Sequence, residues 1–170
     1  AVEEAGIDVD LRLLKFPPRA FEPDYRAVNP LMTIPGWVED GRLMTESAAI
    51  CERIAEGLKI DRAVVFEFNE DASRVHFHAG YSRASIAVAE GAHDVETFFS
   101  PATLAALRAG EPLLVEDVTT DPRFAGKPAA PHRKGLAAFA VMPVFEGTRL
   151  RAALSVGSIA PRRWSPRARR

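Results

Sequence analysis

Cysteine is almost missing from this 170-residue sequence, which contains Cys51 alone. An intramolecular disulfide is therefore excluded, and the composition fits a reducing compartment. No apolar run is long enough to span a membrane, and no signal peptide opens the chain. The net charge of −1 gives no overall attraction to nucleic acid or to a lipid surface. We therefore expect a cytoplasmic protein whose partners are neither membranes nor nucleic acids.

The composition is that of an ordinary globular protein, with 47% hydrophobic and 26% charged residues. A packed core is therefore expected, and the length allows one large domain or two small ones. The first six residues are typical of the last turn of a helix, and Ser165-Pro166 is typical of a helix start. From these two ends we expect that the sequence is an excerpt of a longer protein.

The first part of the chain predicts strands followed by one helix. Residues 7–13 alternate apolar and polar side chains, and 37–44 predict a hairpin that turns at Glu39-Asp40-Gly41. Thr45 caps a predicted helix over 46–56, which Gly57 ends. The apolar face of this helix consists of Ala49, Ile50 and Ile54.

After Gly57 the pattern becomes rich in strands. Strands are predicted over 63–68, 74–80 and 112–118, and a hairpin over 136–159, whereas 82–99 shows no firm period. One helix is predicted between these strands, with Ser100 as its cap, Leu104 and Leu107 inside and Gly110 at its end. Since most strands follow each other without a crossover helix, a mostly antiparallel sheet is expected.

Three features of the first part occur in a family-typical order: Asn29-Pro30, Ile34-Pro35 and Thr45-Glu46-Ser47-Ala48-Ala49-Ile50. With the strand before them, they resemble the N-terminal, thioredoxin-fold half of a glutathione transferase. The resemblance covers residues 1–56. It implies a partial thioredoxin-like βββα segment.

The resemblance implies a glutathione site with four residues. Pro35 would be the cis-proline that leaves the backbone of Ile34 open to the cysteinyl part of glutathione. Ser47 would bind the γ-glutamyl carboxylate and Glu46 its ammonium, at a helix start that favours anions. The residues alone leave two alternatives open: Pro35 as a trans turn residue, and 45–47 as a plain helix start.

The resemblance also implies what the segment does not do. In the transferases, the group that activates the glutathione thiol lies on or just after the first strand, which here would precede Ala1. The helical half that binds the second substrate has no counterpart either. We therefore identify no catalytic residue and expect no conjugation of glutathione.

The second part resembles a GAF domain of bacterial sensor kinases over residues 57–170. The resemblance depends on four stretches in order, 57–63, 107–123, 141–156 and 161–166. It implies a GAF/PAS-like antiparallel sheet with flanking helices, so the whole chain is expected to be an α/β (α+β) protein. The junction is predicted in the helix that ends at Gly57, with Ala49, Ile50 and Ile54 packed against the second sheet.

Three hypotheses about function follow from these resemblances. GAF domains usually sense small molecules and signal through their flanking helices, so the first is a non-enzymatic sensing module with an unidentified small molecule or protein partner. A homodimer is compatible with this hypothesis. The second is a glutathione-binding or transferase-like protein, and the third is a recombined chimera that acts by protein–protein binding.

The sequence identifies no cofactor other than a possible glutathione. A covalent bilin would need a cysteine in the pocket. Pro131-His132 faintly resembles the phytochrome-type motif, but no cysteine follows, and Cys51 is expected outside the domain. We therefore expect no covalent bilin.

Two pairs of polar residues remain as candidate sites. His76 and His78 share one face of a predicted strand and could bind a metal, but a solvated pair is favoured because Val75, Phe77 and Ala79 form the apolar face. Asp117 and Asp121 could act as acids or ligands, but local hydrogen bonds beside Pro122 are favoured. No metal site is predicted.

Overall fold

A computed structural model of the chain describes residues 27, 37–39, 41–44, 47–78, 80–83, 86, 89–124 and 135–164. The predicted strand over 7–13 and the predicted site residues Ile34, Pro35 and Glu46 lie outside the described residues, as does Pro131-His132. Within these ranges, no helix combines the length and the apolar character needed to cross a membrane.

The first described elements form a hairpin followed by a helix. Strands β1 (Trp37–Glu39) and β2 (Arg42–Met44) pair antiparallel, which confirms the predicted hairpin. Helix α1 (Ser47–Leu58) follows.

A seven-stranded sheet forms the body of the protein. The strands are β3 (Arg62–Phe68), β4 (Arg74–Phe77), β5 (Tyr81–Ser82), β6 (Gly91–Asp94), β7 (Leu113–Val115), β8 (Ala138–Glu146) and β9 (Arg149–Ser158). Their order in the sheet is β6-β4-β3-β9-β8-β7, and β5 pairs with β3 beside this path. Every pairing in the sheet is antiparallel, which confirms the predicted topology.

Helix α2 (Pro101–Arg108) agrees with its sequence signals. The Ser100 hydroxyl accepts a hydrogen bond from the Thr103 amide at 3.2 Å, and Pro101 occupies the first turn, where its missing N–H is not needed. Leu104 and Leu107 are buried. Gly110 follows with φ of 87°, a conformation that glycine adopts at little cost.

The end of α1 differs from the prediction. The helix continues through Gly57 to Leu58, and Lys59 adopts the left-handed conformation with φ of 52°. The Ile60 amide then donates to the Ala55 carbonyl at 3.0 Å, as in a Schellman motif. Burial of Ile60 against the sheet fixes the C-terminal end of α1. Helix-end signals in the local sequence do not reveal that contact.

The stretch 82–99, which showed no period, contains β6 and a short 3₁₀ helix (Val95–Thr97). Strand β6 is an edge strand of the sequence Gly-Ala-His-Asp, and β4 is its partner over four residue pairs. It lacks a fully buried side chain, so its stability comes from backbone pairing rather than from an apolar pattern.

Gly80 lies where the chain passes from β4 to β5 beside the central strand. A Cβ atom at this position would lie 2.5 Å from the carbonyl oxygen of Ala63, which is backbone and cannot move aside. Glycine is therefore required for β5 to pair with the start of β3.

The two faces of the sheet differ in the size of their side chains. The face under α1, here called the helix face, presents Ala63, Ala138, Ala140 and Val156, and α1 packs Ile50, Cys51, Ile54 and Ala55 in the same cluster. The predicted contact of Ile50 and Ile54 with the sheet is thus confirmed, whereas Ala49 is only partly buried. Cys51 has no exposed surface and belongs to this core, so its expected position outside the domain is wrong.

The opposite face, here called the aromatic face, is covered by α2 and by the 3₁₀ segment. Its core contains Leu104 and Leu107 of α2 together with the rings Phe66, Phe68, Phe77, Phe99 and Phe139. Strand β8 supplies both faces by simple alternation, with Ala138 and Ala140 on the helix face and Phe139 and Val141 on the aromatic face.

A short C-terminal segment ties α1 to the edge of the sheet. The Arg162 guanidinium donates to the carbonyls of Leu58 at 2.9 Å and Lys59 at 3.1 Å, where α1 ends. The indole N–H of Trp164 donates to the Val115 carbonyl of β7 at 3.0 Å. The segment therefore binds the last carbonyls of the helix and one free side of an edge strand.

Candidate functional site

The aromatic face contains a small, partly open cavity. Its volume is about 30 Å³, enough for roughly two water molecules. The wall is formed mainly by aromatic rings, namely Phe66, Phe77, Phe98, Phe99 and Phe139, with Leu113 and Val141 completing its apolar part.

The rings of this wall pack against each other and so restrict each other's movement. Phe66 lies 4.8 Å from Phe77 and 5.7 Å from Phe99, measured between ring centroids, and Phe77 lies 4.6 Å from Phe98. These are distances at which aromatic pairs stabilise a fold beyond their buried area. The cavity is therefore a defined space between held rings.

Two polar residues, Arg62 and Ser155, complete the lining of the cavity. Arg62 is 7% exposed and Ser155 is 4% exposed, and the Arg62 Nη2 lies 3.5 Å from the Ser155 Oγ. Arg62 begins β3 with the same parity as Val64 and Phe66, so the strand itself directs the guanidinium to the aromatic face. A guanidinium stays charged and carries only hydrogen-bond donors.

Arg62 and Ser155 were not predicted as site residues. The only signal in the sequence is an arginine in an otherwise apolar strand, at a position where the alternation of side chains directs it to the same face as buried residues. Ser155 is 93 residues away and becomes its neighbour through the pairing of β3 with β9. A single sequence does not reveal that pairing.

Asp61, next to Arg62, is buried but serves the fold. Its Oδ2 accepts hydrogen bonds from the Ile159 amide at 2.9 Å and the Ser158 hydroxyl at 3.2 Å, and its Oδ1 lies 3.0 Å from the Arg83 Nε. These contacts join the start of β3, the end of β9 and the segment after β5. Asp61 is therefore a structural connector.

The loop after β7 supports the wall of the cavity. The Asp121 carboxylate accepts from the Arg123 Nε at 2.9 Å and Nη2 at 2.6 Å, and Nη2 also donates to the Leu114 carbonyl at 2.6 Å. The Arg123 hydrogen bonds hold the pKa of Asp121 below its ordinary value. The ring of Phe124 then lies edge-on to Phe139 at 5.4 Å.

Asp117 makes local hydrogen bonds of the same kind. Its Oδ1 accepts from the Thr119 amide at 2.8 Å and the Thr119 hydroxyl at 2.7 Å, and these bonds lower the pKa of the carboxyl. The preference for local hydrogen bonds at Asp117 and Asp121 is thus confirmed.

A second, open groove of about 280 Å³ lies at the β4 side of the sheet. Its polar lining includes Glu67 and His76, which are register partners on β3 and β4. Just after β4, the Nε2 of His78 lies 3.8 Å from the Oε1 of Glu67. His76 is exposed, as expected for a solvated pair, whereas His78 is only partly exposed and its Nε2 is buried. In the described part of the chain, no group of three or more metal-ligating side chains comes together. The groove is larger than the cavity but more open, so the cavity, with its ring-lined wall, is the better candidate site.

Of the four residues predicted to bind glutathione, the structure describes one, Ser47. Ser47 is the first residue of α1, and Ile34, Pro35 and Glu46 lie outside the described residues. That site stays a prediction.

An antiparallel sheet with α1 on one face, and α2 with a small cavity on the other, defines a class of α+β domains. The sequence profile of the GAF domain matches residues 43–170. Since this match covers more than half of the chain, the protein belongs to the GAF domain family. The profile of the glutathione S-transferase N-terminal domain matches residues 1–56. The two matched ranges overlap over 43–56, which includes most of α1.

Three solved structures with the same fold have low sequence identity to this chain. The phycocyanobilin-bound GAF domain from a cyanobacterial phytochrome is 17% identical, with a TM-score of 0.56 over 72% of this chain and 73% of that chain. A far-red cyanobacteriochrome photoreceptor is 17% identical, with a TM-score of 0.55 over 71% of this chain and 74% of that chain. The GAF domain from a phosphoenolpyruvate-protein phosphotransferase of Coxiella burnetii is 13% identical, with a TM-score of 0.53 over 72% of this chain and 70% of that chain. No curated protein sequence matches the chain significantly.

Proposed function

We propose that this protein is a non-enzymatic regulatory module that binds a small molecule in the cavity of its aromatic face and carries a transferase-derived N-terminal segment. The observation that carries the proposal is the small cavity with a buried guanidinium and hydroxyl among five phenylalanine rings. Mostly apolar walls with a few placed polar groups are the usual composition of a small-molecule site.

The comparison with known folds supports this proposal. One GAF domain of similar fold is bound to phycocyanobilin, which establishes that a related sheet accommodates a small molecule. For this chain we propose a ligand that is not covalently attached. The single cysteine, Cys51, lies on α1 against the helix face, whereas the cavity lies on the aromatic face.

A thermal-shift screen with a panel of metabolites tests the proposal. A ligand that binds the folded state raises the melting temperature by mass action. We expect at least one compound to do so, and Val141→Phe, which fills the cavity, to abolish the shift. Met142→Leu is the matched control, because Met142 is the next residue of β8 and packs on the helix face. A panel without any shift, or a shift that survives Val141→Phe, contradicts the proposal.

Glutathione binding is a second candidate, supported by the transferase profile match over residues 1–56 and by the position of Ser47 at the start of α1. Retention of the protein on immobilised glutathione, lost with Ser47→Ala and kept with Thr148→Ala in the β8–β9 turn, would support it. Absence of retention removes this candidate. If no metabolite binds either, action through a protein partner becomes the favoured hypothesis.

A further inference from the structure

We infer that His76 and His78 bind a divalent transition-metal ion, with Cu²⁺ preferred, and that Glu67 positions His78 for this role. The site lies at the open groove, whose lining includes His76 and Glu67, and not at the cavity of the aromatic face. The inference therefore goes beyond the proposed function and assigns a second class of ligand to another part of the molecule.

The backbone places both imidazoles on one side of the sheet. His76 alternates in β4 with Val75 and Phe77, which are buried in the core of the aromatic face. It therefore points to the opposite side, and His78, two residues further along, follows it there. The two ring centroids lie 5.0 Å apart. Because His76 is exposed, an ion reaches the pair directly from solvent.

The separation of the two rings suits a shared metal ion. With a metal–nitrogen bond of about 2.0–2.1 Å and about 1.1 Å from nitrogen to ring centre, each centroid lies about 3.2 Å from a bound ion. Bond angles of about 90° to 109°, as in square-planar and tetrahedral sites, then place two centroids about 4.5–5.2 Å apart. The observed 5.0 Å falls in this range, so side-chain rotations alone bring both rings onto one ion.

Glu67 supplies a carboxylate behind one of the two rings. It is the register partner of His76, and its Oε1 lies 3.8 Å from the Nε2 of His78. That Nε2 is buried and has no hydrogen-bond partner among the described residues. A metal-binding histidine usually donates its other ring N–H to a carboxylate, which fixes the tautomer. With Nε2–H directed at Glu67, the lone pair of His78 Nδ1 is the one that faces a metal, and a small rotation closes the hydrogen bond.

The charges and the ligand type determine which ion is expected. Arg74 shares the face with His76, but its Nε lies 3.9 Å from the Asp94 Oδ1, so its charge is offset, and Glu67 adds a negative charge. Imidazole nitrogens suit Cu²⁺, Ni²⁺ and Zn²⁺, and Cu²⁺ binds most strongly in this series. Water completes the coordination, as at other open metal sites.

The test titrates the full chain, labelled with ¹⁵N, with CuCl₂ at pH 7. Cu²⁺ is paramagnetic and broadens nearby signals, so the amide signals of Glu67, His76 and His78 should disappear first. Calorimetric titration of the same protein gives the affinity. His76→Gln and His78→Gln should each weaken binding more than about tenfold, and Glu67→Gln about tenfold, as for other carboxylates behind a metal-binding histidine. Glu67→Asp, which keeps the carboxylate, should retain more affinity than Glu67→Gln.

His93→Gln is the matched control. His93 is a partly exposed histidine of the neighbouring strand β6, but its ring lies 6.1 Å from Phe77 and 5.3 Å from Phe98, on the aromatic side of the sheet. Its replacement should leave the Cu²⁺ affinity unchanged.

The outcomes separate this inference from the proposed function. Signals that broaden first in other segments, or an affinity that survives the double change His76→Gln and His78→Gln, overturn the metal site. An equal loss in His93→Gln overturns it as well, and so does tighter binding of Zn²⁺ than of Cu²⁺. Equal affinities of parent and Glu67→Gln overturn the role of Glu67. The thermal-shift screen with metabolites bears on the cavity alone, so either proposal can fail without the other.

Discussion

The two faces of the large sheet solve different packing problems with the same strands. On the helix face, small side chains such as Ala63, Ala138 and Ala140 let α1 lie close, and the contact buries Cys51 completely. On the aromatic face, large rings stand between the sheet and α2, and a cavity of about 30 Å³ remains among them. The small residues therefore allow α1 to pack closely and support the sheet. The large rings leave the cavity between the sheet and α2.

One strand contributes both to the packing of α1 and to the wall of the cavity. In β8 the residues alternate Ala138, Phe139, Ala140, Val141, so every second position belongs to the helix contact and the others to the cavity wall. Substitutions at adjacent positions should consequently have different effects. The following four changes test this, beginning with the largest expected effect.

Phe66→Ala should remove the largest contribution to the aromatic face. The ring is 1% exposed and contacts Phe68, Phe77 and Phe99, so we expect a loss of about 3–5 kcal/mol in the free energy of unfolding. Urea denaturation measures it. Val65→Ala, one residue away on the helix face and only partly buried, should cost less than half as much. Equal losses would show that the two faces do not differ in this way.

Ala140→Leu should overfill the helix face. Ala140 is 1% exposed beneath α1, and added methylenes in a packed core typically cost about 1–3 kcal/mol. The exposed Ala105 of α2 is the matched control, and Ala105→Leu should change stability by less than about 0.5 kcal/mol. Chemical denaturation of both variants tests the prediction, which fails if Ala140→Leu is tolerated as well as the control.

Asp121→Asn should loosen the loop that supports the cavity wall and lower stability by about 1 kcal/mol at pH 7, as for an ion pair of good geometry near a surface. Because Arg123 lowers the pKa of Asp121 in the folded state, this stabilisation is complete above the unfolded pKa near ~4 and is lost as pH falls through the folded pKa. The stability difference between parent and variant should therefore vanish in acid. A stability difference between parent and variant that stays constant down to about pH 2 contradicts this account. Glu70→Gln, on the exposed β3–β4 turn, is the control.

Lys59→Gly should sharpen the comparison of the two helix ends. Lys59 ends α1 with φ of 52°, whereas Gly110 follows α2 with φ of 87°. Glycine avoids the Cβ strain of that conformation, so the variant should be more stable by about 0.5–1 kcal/mol. The reverse change, Gly110→Lys, should destabilise by a similar amount. Thermal unfolding of both variants measures the effects, and a destabilising Lys59→Gly would refute the argument.

The parts of the fold that the sequence predicted depend on local chemistry. The cap at Ser100 and the glycines at the turns before Arg42 and after Glu146 act through neighbouring residues, so the hairpins and α2 agree with their predictions. The antiparallel topology followed from the absence of crossover helices.

The parts that were missed depend on distant contacts. Strand β6 forms by backbone pairing with β4, the end of α1 is fixed by Ile60 against the sheet, and Cys51 is buried by residues that lie far along the chain. The cavity needs Arg62 and Ser155 side by side, which only the pairing of β3 with β9 achieves. Local sequence contains no information on these pairings.

The position of Trp164 has an optical consequence. Its indole is buried and donates a hydrogen bond to Val115 of β7, the strand whose Leu113 lines the cavity. The emission wavelength of an indole depends on the polarity around it, so Trp164 should act as an intrinsic fluorophore that monitors this edge of the sheet. With Trp37 replaced by phenylalanine, Trp164 would be the sole tryptophan of the chain, and its blue-shifted fluorescence would report the integrity of β7 without an added dye.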